Sequence, residues 1–331
     1  WRKIEIPHDA MLENGRDAEA KGGSASGFFK GGKYLYKKQL HVTEEEAEQC
    51  YTLEFGGVYK NAKVFVNGKY AGGCAYGYCP FRVYMNEFLK TGENEILVEV
   101  DNSSQPDSRW YTGAGIYRSV YLNVQNTTMR LLPEKIRITT LDINPVRLQI
   151  ETGHIGGRVY VQIRDLKTEE KIIGKEGDKI EIQMENAVLW NSENPYLYEI
   201  CIQLIDKNEI RKVDKRKDGI YINGKKTLLK GGCIHHDNGI LGAKEYQESA
   251  DRKIQILKSN GFNAIRSAHN PCSEEILKAC DKYGMYVMDE TWDMWYRKKN
   301  PYDYAMEFQD NYKKDIQGIV EKDYNHPSVI L

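Results

Sequence analysis

Several large classes of protein are excluded by what this sequence lacks. No apolar run approaches the roughly 20 residues that a membrane-spanning helix needs. Excess charge of either sign is missing: 47 Lys and Arg face 48 Asp and Glu, for a net charge of −1. That balance removes the electrostatic case for nucleic acid or an anionic membrane as partner. The seven cysteines, at 50, 74, 79, 201, 233, 272 and 280, are odd in number and contain no CxxC pair. Neither a zinc site nor a dense disulfide framework is indicated. Reduced thiols in a bacterial-type cytoplasmic protein are the expectation, although the chain starts at Trp1, so a removed signal peptide stays open.

What the chain has in quantity is aromatic side chain, with 23 Tyr and 5 Trp. Aromatic rings stack on the C–H faces of sugars, but they also fill the cores of β-sandwiches, so composition does not choose. At 331 residues the chain exceeds one ordinary domain, and two or three are expected.

Residues 1–124 read as all-β. Tyr51, Leu53 and Phe55 alternate with Thr52 and Glu54, the period of a half-buried strand. Val64-Phe65-Val66 runs into Asn67-Gly68, a two-residue hairpin signal because both positions tolerate positive φ. Residues 96–100 and 119–122 add further strands, and the pattern suggests a sandwich or jelly roll. Residues 125–220 continue in β style through Val159-Tyr160-Val161-Gln162-Ile163 and Tyr198-Glu199-Ile200-Cys201-Ile202. Their length suits an immunoglobulin-like sandwich.

From 221 onward the pattern changes. Thr227-Leu228-Leu229 reads as a short strand, and Ala250, Ile254 and Leu257 as one face of a helix ending at Gly261. A strand through Ala264-Ile265 follows, then a helix capped by Ser273, a strand over 285–288, and a helix showing Phe308, Tyr312, Ile316, Ile319 and Val320. Val329-Ile330-Leu331 begins a fourth strand. Strands alternating with helices open a parallel α/β domain. A full (β/α)8 barrel needs about 250 residues and about 110 are present, so about three and a half βα units are expected, ending inside a strand.

Polar residues gather just after these strands: His235, His236, Asp237 and Asn238, then Arg266, His269 and Asn270, then Asp289 and Glu290. In a barrel such strand ends form the catalytic face. Adjacent Asp289 and Glu290 point to opposite faces of an extended segment, so they cannot flank one bond. His235, His236 and Asp237 diverge along a loop and do not read as metal ligands.

Motifs in order along nearly the whole chain resemble glycoside hydrolase family 2, the β-galactosidase and β-glucuronidase family. They are Trp1-Arg2-Lys3-Ile4 with Pro7-His8-Asp9, Ala62-Lys63-Val64-Phe65-Val66-Asn67-Gly68, and Ser108-Arg109-Trp110-Tyr111-Thr112-Gly113-Ala114-Gly115-Ile116-Tyr117-Arg118. Leu189-Trp190, Pro195-Tyr196-Leu197-Tyr198, Leu229-Lys230-Gly231 and His235-His236-Asp237 follow. Asn263-Ala264-Ile265-Arg266-Ser267-Ala268-His269-Asn270-Pro271, Asp289-Glu290 and Asn325-His326-Pro327-Ser328-Val329 complete the series.

The resemblance implies a multidomain chain: a jelly-roll sugar-binding domain over 1–124, an immunoglobulin-like sandwich over 125–220 and the first part of a TIM barrel over 221–331. It implies the front portion of a retaining exo-β-glycosidase of carbohydrate metabolism, acting on terminal β-D-galactosides. A β-glucuronidase, a non-catalytic carbohydrate-binding protein and a subunit completed by another chain remain as alternatives. Such enzymes use two glutamates whose carboxyls lie roughly 5–5.5 Å apart. Both are expected beyond Leu331, and the fragment alone is expected to be inactive. Substrate contacts are implied for His235, His269, Asn270 and Asp107, with Glu290 supporting the hydrogen-bond network. Asp107 has turn capping as its alternative, and Trp292 or Trp295 is either a sugar-stacking wall or core packing. No cofactor is expected: a magnesium subgroup carries a histidine after the third barrel strand, and Thr291-Trp292-Asp293-Met294-Trp295 has none. A second departure is the absence of a Phe-Gly-Ile-Arg segment before Asp218, where residues 212–217 run straight into the barrel's lead-in. The expected partner is a β-linked oligosaccharide or glycoside, with no nucleic acid and no membrane; a homo-oligomer stays open.

Overall fold

The alternation at 51–55 becomes a strand in the computed structural model, which describes every residue except 129, 157–158, 170, 203, 209–212 and 218. In Gln49–Phe55, Tyr51, Leu53 and Phe55 are buried while Thr52 and Glu54 are only half-buried. This strand lies between Phe81–Tyr84 and Val120–Asn126 in one antiparallel sheet. A second antiparallel sheet takes the order Lys33–Val42, Gly92–Asp101, Ala62–Val66, Lys69–Cys74. Asn67 and Gly68 join its last two strands with φ of 50° and 77°, which Asn and Gly adopt at little cost. Val64, Val66, Val98 and Val100 of this sheet meet Tyr51, Leu53 and Phe55 of the other in one core.

Two more antiparallel sheets share a separate core that includes Leu148, Ile150, Ile163, Ile182 and Ile200. One has the order Lys179–Met184, Val146–Glu151, Arg137–Ile143, and the other Lys171–Glu176, Tyr160–Asp165, Tyr198–Ile202, Leu204–Asn208. A small sheet of Val213–Arg216, Gly219–Ile222 and Lys225–Thr227 follows. The departure noted before Asp218 falls partly on residues 212 and 218, which lie outside the described residues.

Pairing then turns parallel. Gly231–Ile234, Ala264–Ser267 and Tyr286–Met288 lie side by side in that order. Helices α1 (Gln247–Ser259) and α2 (Glu274–Tyr283) make the crossovers. Ala250 and Ile254 are the buried positions of α1. Ser273 caps α2 by accepting the Ile276 N–H at 3.2 Å, and Gly284 closes it at φ 72°. Beside the third strand, Ile330 N–H donates to the Val287 carbonyl at 2.9 Å and Val287 bridges Val329 in parallel.

Two sequence expectations give way in this segment. Thr227-Leu228-Leu229 is not the first parallel strand: Leu228 is 74% exposed, and the ladder begins at Gly231. A Cβ at 231 would stand 2.5 Å from the Ala264 carbonyl oxygen, so the close approach selects glycine and erases the apolar signal. In α3 (Phe308–Asp323) the buried positions are Phe308, Asp315 and Ile319, while Ile316 and Val320 face outward. Asp315 turns inward to accept the Tyr304 hydroxyl, and a periodicity argument passes over a carboxylate as a core residue. Phe308 and Ile319 enter the core of the first pair of sheets, which ties α3 to the front of the chain. Among the described residues no helix is long and apolar enough to cross a membrane.

Candidate functional site

Because the three strands are parallel, the residues after Ile234, Ser267 and Met288 emerge at one end of the sheet. His235, His269 and Glu290 therefore come together. The His235 and His269 ring centroids are 5.6 Å apart. Arg266 Nε donates to Glu290 Oε1 at 2.6 Å, and its Nη2 lies 3.3 Å from His269 Nδ1. Glu290 Oε2 is 3.4 Å from the same Nδ1. One ring nitrogen of His269 is thus occupied by the Arg266–Glu290 pair, which leaves Nε2 as the free edge.

The front of the chain closes over this cluster. Trp110, on the loop before Val120–Asn126, places its ring 5.5 Å from both His235 and His269. Its indole N–H donates to the Tyr78 hydroxyl at 3.1 Å, so its orientation is set by a residue of its own unit. His236 is half-buried in this junction, against the rings of Tyr78 and Tyr117, with Nε2 3.1 Å from the Thr112 carbonyl. Burial drives its pKa down to about 3, so it is neutral. Burial, then the neighbouring His269, also lowers His235.

Between the two parts lies a narrow hollow, partly open to solvent, with Tyr76, Asp107, Trp110, His269, Trp292 and Asp293 in its wall. Asp107 is buried, 3.4 Å from Lys60 Nζ, and accepts the Tyr59 hydroxyl at 3.1 Å. Burial raises its carboxyl above the ordinary range, and Lys60 offsets that only in part. Asp293 shows the opposite balance. Burial acts to raise it, but bonds from Lys299 (2.6 Å) and Arg109 (2.7 Å) hold it low. Glu307, also in the wall, is pushed up by burial.

Of the five residues expected to meet a substrate, Asp107 and His269 line the hollow, and His235 stands one ring away behind Trp110. Glu290 sits behind His269 as its support. Asn270 is buried, and among the described residues its amide Nδ2 has no hydrogen-bond partner. Asp289 turns away, accepting the Cys272 N–H at 2.9 Å and facing Lys322 at 3.2 Å. Trp110, Lys60, Tyr76 and Glu307 were not singled out from sequence. They come from segments remote from the strand ends, and only the motif around Trp110 signalled any of them. Trp292 packs edge-on against Phe308 at 5.0 Å while also lining the hollow, so wall and core packing are one role here. The stretch 291–295 offers a single carboxylate, already shared by two cations. That does not fit a magnesium site, and among the described residues no group of three His, Cys, Asp or Glu is placed to hold a metal.

This arrangement has counterparts. Residues 28–126 match the glycosyl hydrolases family 2 sugar binding domain, 132–220 the glycosyl hydrolases family 2 model, and 213–331 the family's TIM barrel domain. A β-galactosidase of Bacteroides ovatus is 34% identical over 100% of this chain and 42% of its own length. A putative β-glucuronidase of Formosa agariphila is 31% identical over 100% of the chain and 34% of its own. A solved family 2 member from Bacteroides cellulosilyticus superposes with TM-score 0.91 at 34% identity, covering 99% of this chain and 47% of that one. A β-glycosidase from Bacteroides vulgatus gives TM-score 0.93 at 28% identity, over 99% and 46%. The chain spans less than half the length of these relatives. Three family models in sequence order cover nearly all of it, and the chain belongs to glycoside hydrolase family 2.

Proposed function

We propose that this chain is the sugar-recognising portion of a retaining exo-β-glycosidase, and that the sugar it selects is a terminal β-D-galactoside. The observation that carries the reading is the hollow in which Trp110, from the sugar-binding unit, meets His269 and His235 at the ends of parallel strands. An aromatic wall, a free imidazole edge and a buried carboxyl at Asp107 are what a site needs to hold one pyranose by its C–H face and hydroxyls. Hydrogen bonds from such groups strengthen as positive charge develops on the sugar ring. His235, His269, Asn270 and Asp107 take the substrate contacts in this proposal, and Glu290 positions His269.

The division at 124 and 220, the jelly-roll and immunoglobulin-like assignments and the open portion of a TIM barrel belong to the same proposal. So does the placement of the acid/base and nucleophile glutamates outside residues 1–331. Three carboxylates at or beside the hollow are already paired: Asp107 with Lys60, Asp293 with Arg109 and Lys299, and Glu290 with Arg266. The same pairs favour a neutral sugar, because each of those four cations already has a carboxylate and a uronate would have to compete for one. A β-glucuronide is the second reading, favoured by the relative named for that activity.

A panel of nitrophenyl β-glycosides on the full-length protein is the test, with galactoside turnover highest. Turnover confined to the glucuronide would select the second reading, and none on any β-glycoside would remove both. The 331-residue chain assayed alone is expected to cleave none of them.

A further inference from the structure

Next to the hollow stands an aromatic group that the contacts above leave unused. Trp295 is 56% exposed and Tyr296 70%, yet neither ring is loose. The Trp295 indole N–H donates to the Trp292 carbonyl at 3.0 Å. One face of the indole stacks on Phe308, with planes within 10° and centroids 6.3 Å apart. Tyr296 meets the same Phe308 edge-on at 5.0 Å. Phe308 is itself buried in the first core, so both rings are anchored through it. Trp292, Asp293 and Met294, the three residues before Trp295, line the hollow, and the Trp295 ring stands edge-on to that of Trp292 with centroids 6.4 Å apart, beside the hollow's wall. Lys299 and Arg109, both bonded to Asp293, tether the loop.

We infer that Trp295 is the platform for the sugar on the leaving-group side: a pyranose β-linked to the terminal residue in the hollow lies with its C–H face on the open side of the indole. The inference rests on the glycosidase reading above. Chain-end cleavage requires the terminal sugar to occupy the inner end of the hollow, so the scissile bond and whatever follows it face the opening. The rim is therefore where the next ring arrives. A large apolar face held rigid in water is unfavourable alone and gains on being covered. Because its orientation is already set, little side-chain entropy is lost when a sugar stacks on it. The neighbouring Trp292 differs, since its ring is packed into the core edge-on to Phe308 at 5.0 Å and offers a wall instead of a surface.

The test uses the full-length protein and compares kcat/KM on a β-linked disaccharide with kcat/KM on the methyl β-glycoside of the same terminal sugar. Trp295→Ala is expected to lower the ratio of the two about tenfold, the size of one aromatic stacking contact. Trp295→Phe is expected to restore most of it. Tyr70→Ala, which removes an exposed aromatic from another strand, leaves the ratio unchanged. A ratio unmoved by Trp295→Ala, in protein whose melting profile matches the parent, overturns the platform. If the parent itself cleaves no β-glycoside, the glycosidase reading fails and takes the platform with it; the two failures are distinguished by the parent's own activity.

Discussion

His236 and His326 are both half-buried, and withdrawal from water alone would push each toward the neutral form. Their neighbours separate them. His236 faces Arg118 and His235, has only a carbonyl for a partner, and falls to about 3. His326 has its Nδ1 2.5 Å from Asp281 Oδ2, and that carboxylate outweighs burial and raises it. Linkage gives the two opposite signs. With a depressed folded pKa, the contribution of His236 is whole above pH 6.5 and is lost as pH falls from there toward 3. With a raised folded pKa, that of His326 is whole below 6.5 and is lost as pH rises through the folded value. His236→Gln, which keeps an N–H for Thr112, is expected to shrink the difference in urea midpoint between pH 7.5 and pH 4.5. His326→Gln is expected to lower the midpoint at pH 6 more than at pH 9. An acid difference unchanged in H236Q would mean that other groups set it.

At the scale of elements, Gly231 and Gly232 make a paired test of why the first parallel strand exists. A Cβ at 231 meets the Ala264 carbonyl oxygen at 2.5 Å, whereas one at 232 meets only the rim of Phe262 at 3.8 Å. Gly231→Ala is expected to cost about 2 kcal/mol through forced separation of the two strands. Gly232→Ala should fall within about 0.5 kcal/mol of the parent, the span of changes that meet no feature. Urea unfolding of the two variants checks this, and equal losses would show that glycine's flexibility, not the close approach, matters there. The same pair explains what the sequence left hidden. Strands with an alternating face, such as Gln49–Phe55, and the Asn67-Gly68 turn were legible because side chain and backbone signals agree. The glycine strand carries no apolar signal, so the apolar pattern points instead to Thr227-Leu228-Leu229, and periodicity turns the wrong face of α3 inward because Asp315 in its buried stripe reads as solvent-facing. For the site, the strand ends were legible because parallel topology alone gathers His235, His269 and Glu290. Trp110, Lys60 and Glu307 were not, because their place at the hollow depends on how distant segments pack.

Across the whole molecule, the front unit and the parallel segment are held by groups that belong to neither site nor core. Asp9 accepts N–H bonds from Met11, Ala114 and Ala243 and the Tyr111 hydroxyl at 2.7 Å, joining the N-terminal segment, the motif loop and the approach to α1. Arg118, 2% exposed, does the same with the opposite charge. It donates to the carbonyls of Tyr78 at 2.9 Å and Gly56 at 3.3 Å in the front unit, and of Pro271 at 3.0 Å in the loop that carries His269 and Asn270. Tyr78 in turn orients Trp110, so one guanidinium fixes the aromatic wall and the histidine loop relative to each other. Replacing it by Met strands all three carbonyls, the buried ones of Tyr78 and Pro271 at about 1–3 kcal/mol each. Arg118→Met is therefore expected to lower the stability of the chain by about 4 kcal/mol, read as a lower urea midpoint. Arg118→Lys, which keeps the charge and one donor but loses the fork, should fall between. In the full-length protein the lysine variant should lose kcat/KM on a β-glycoside at temperatures where it is fully folded, because Trp110 and His269 have lost their common anchor. A lysine variant that loses stability yet keeps its kcat/KM would leave Arg118 a fastener of the two units with no part in setting the site.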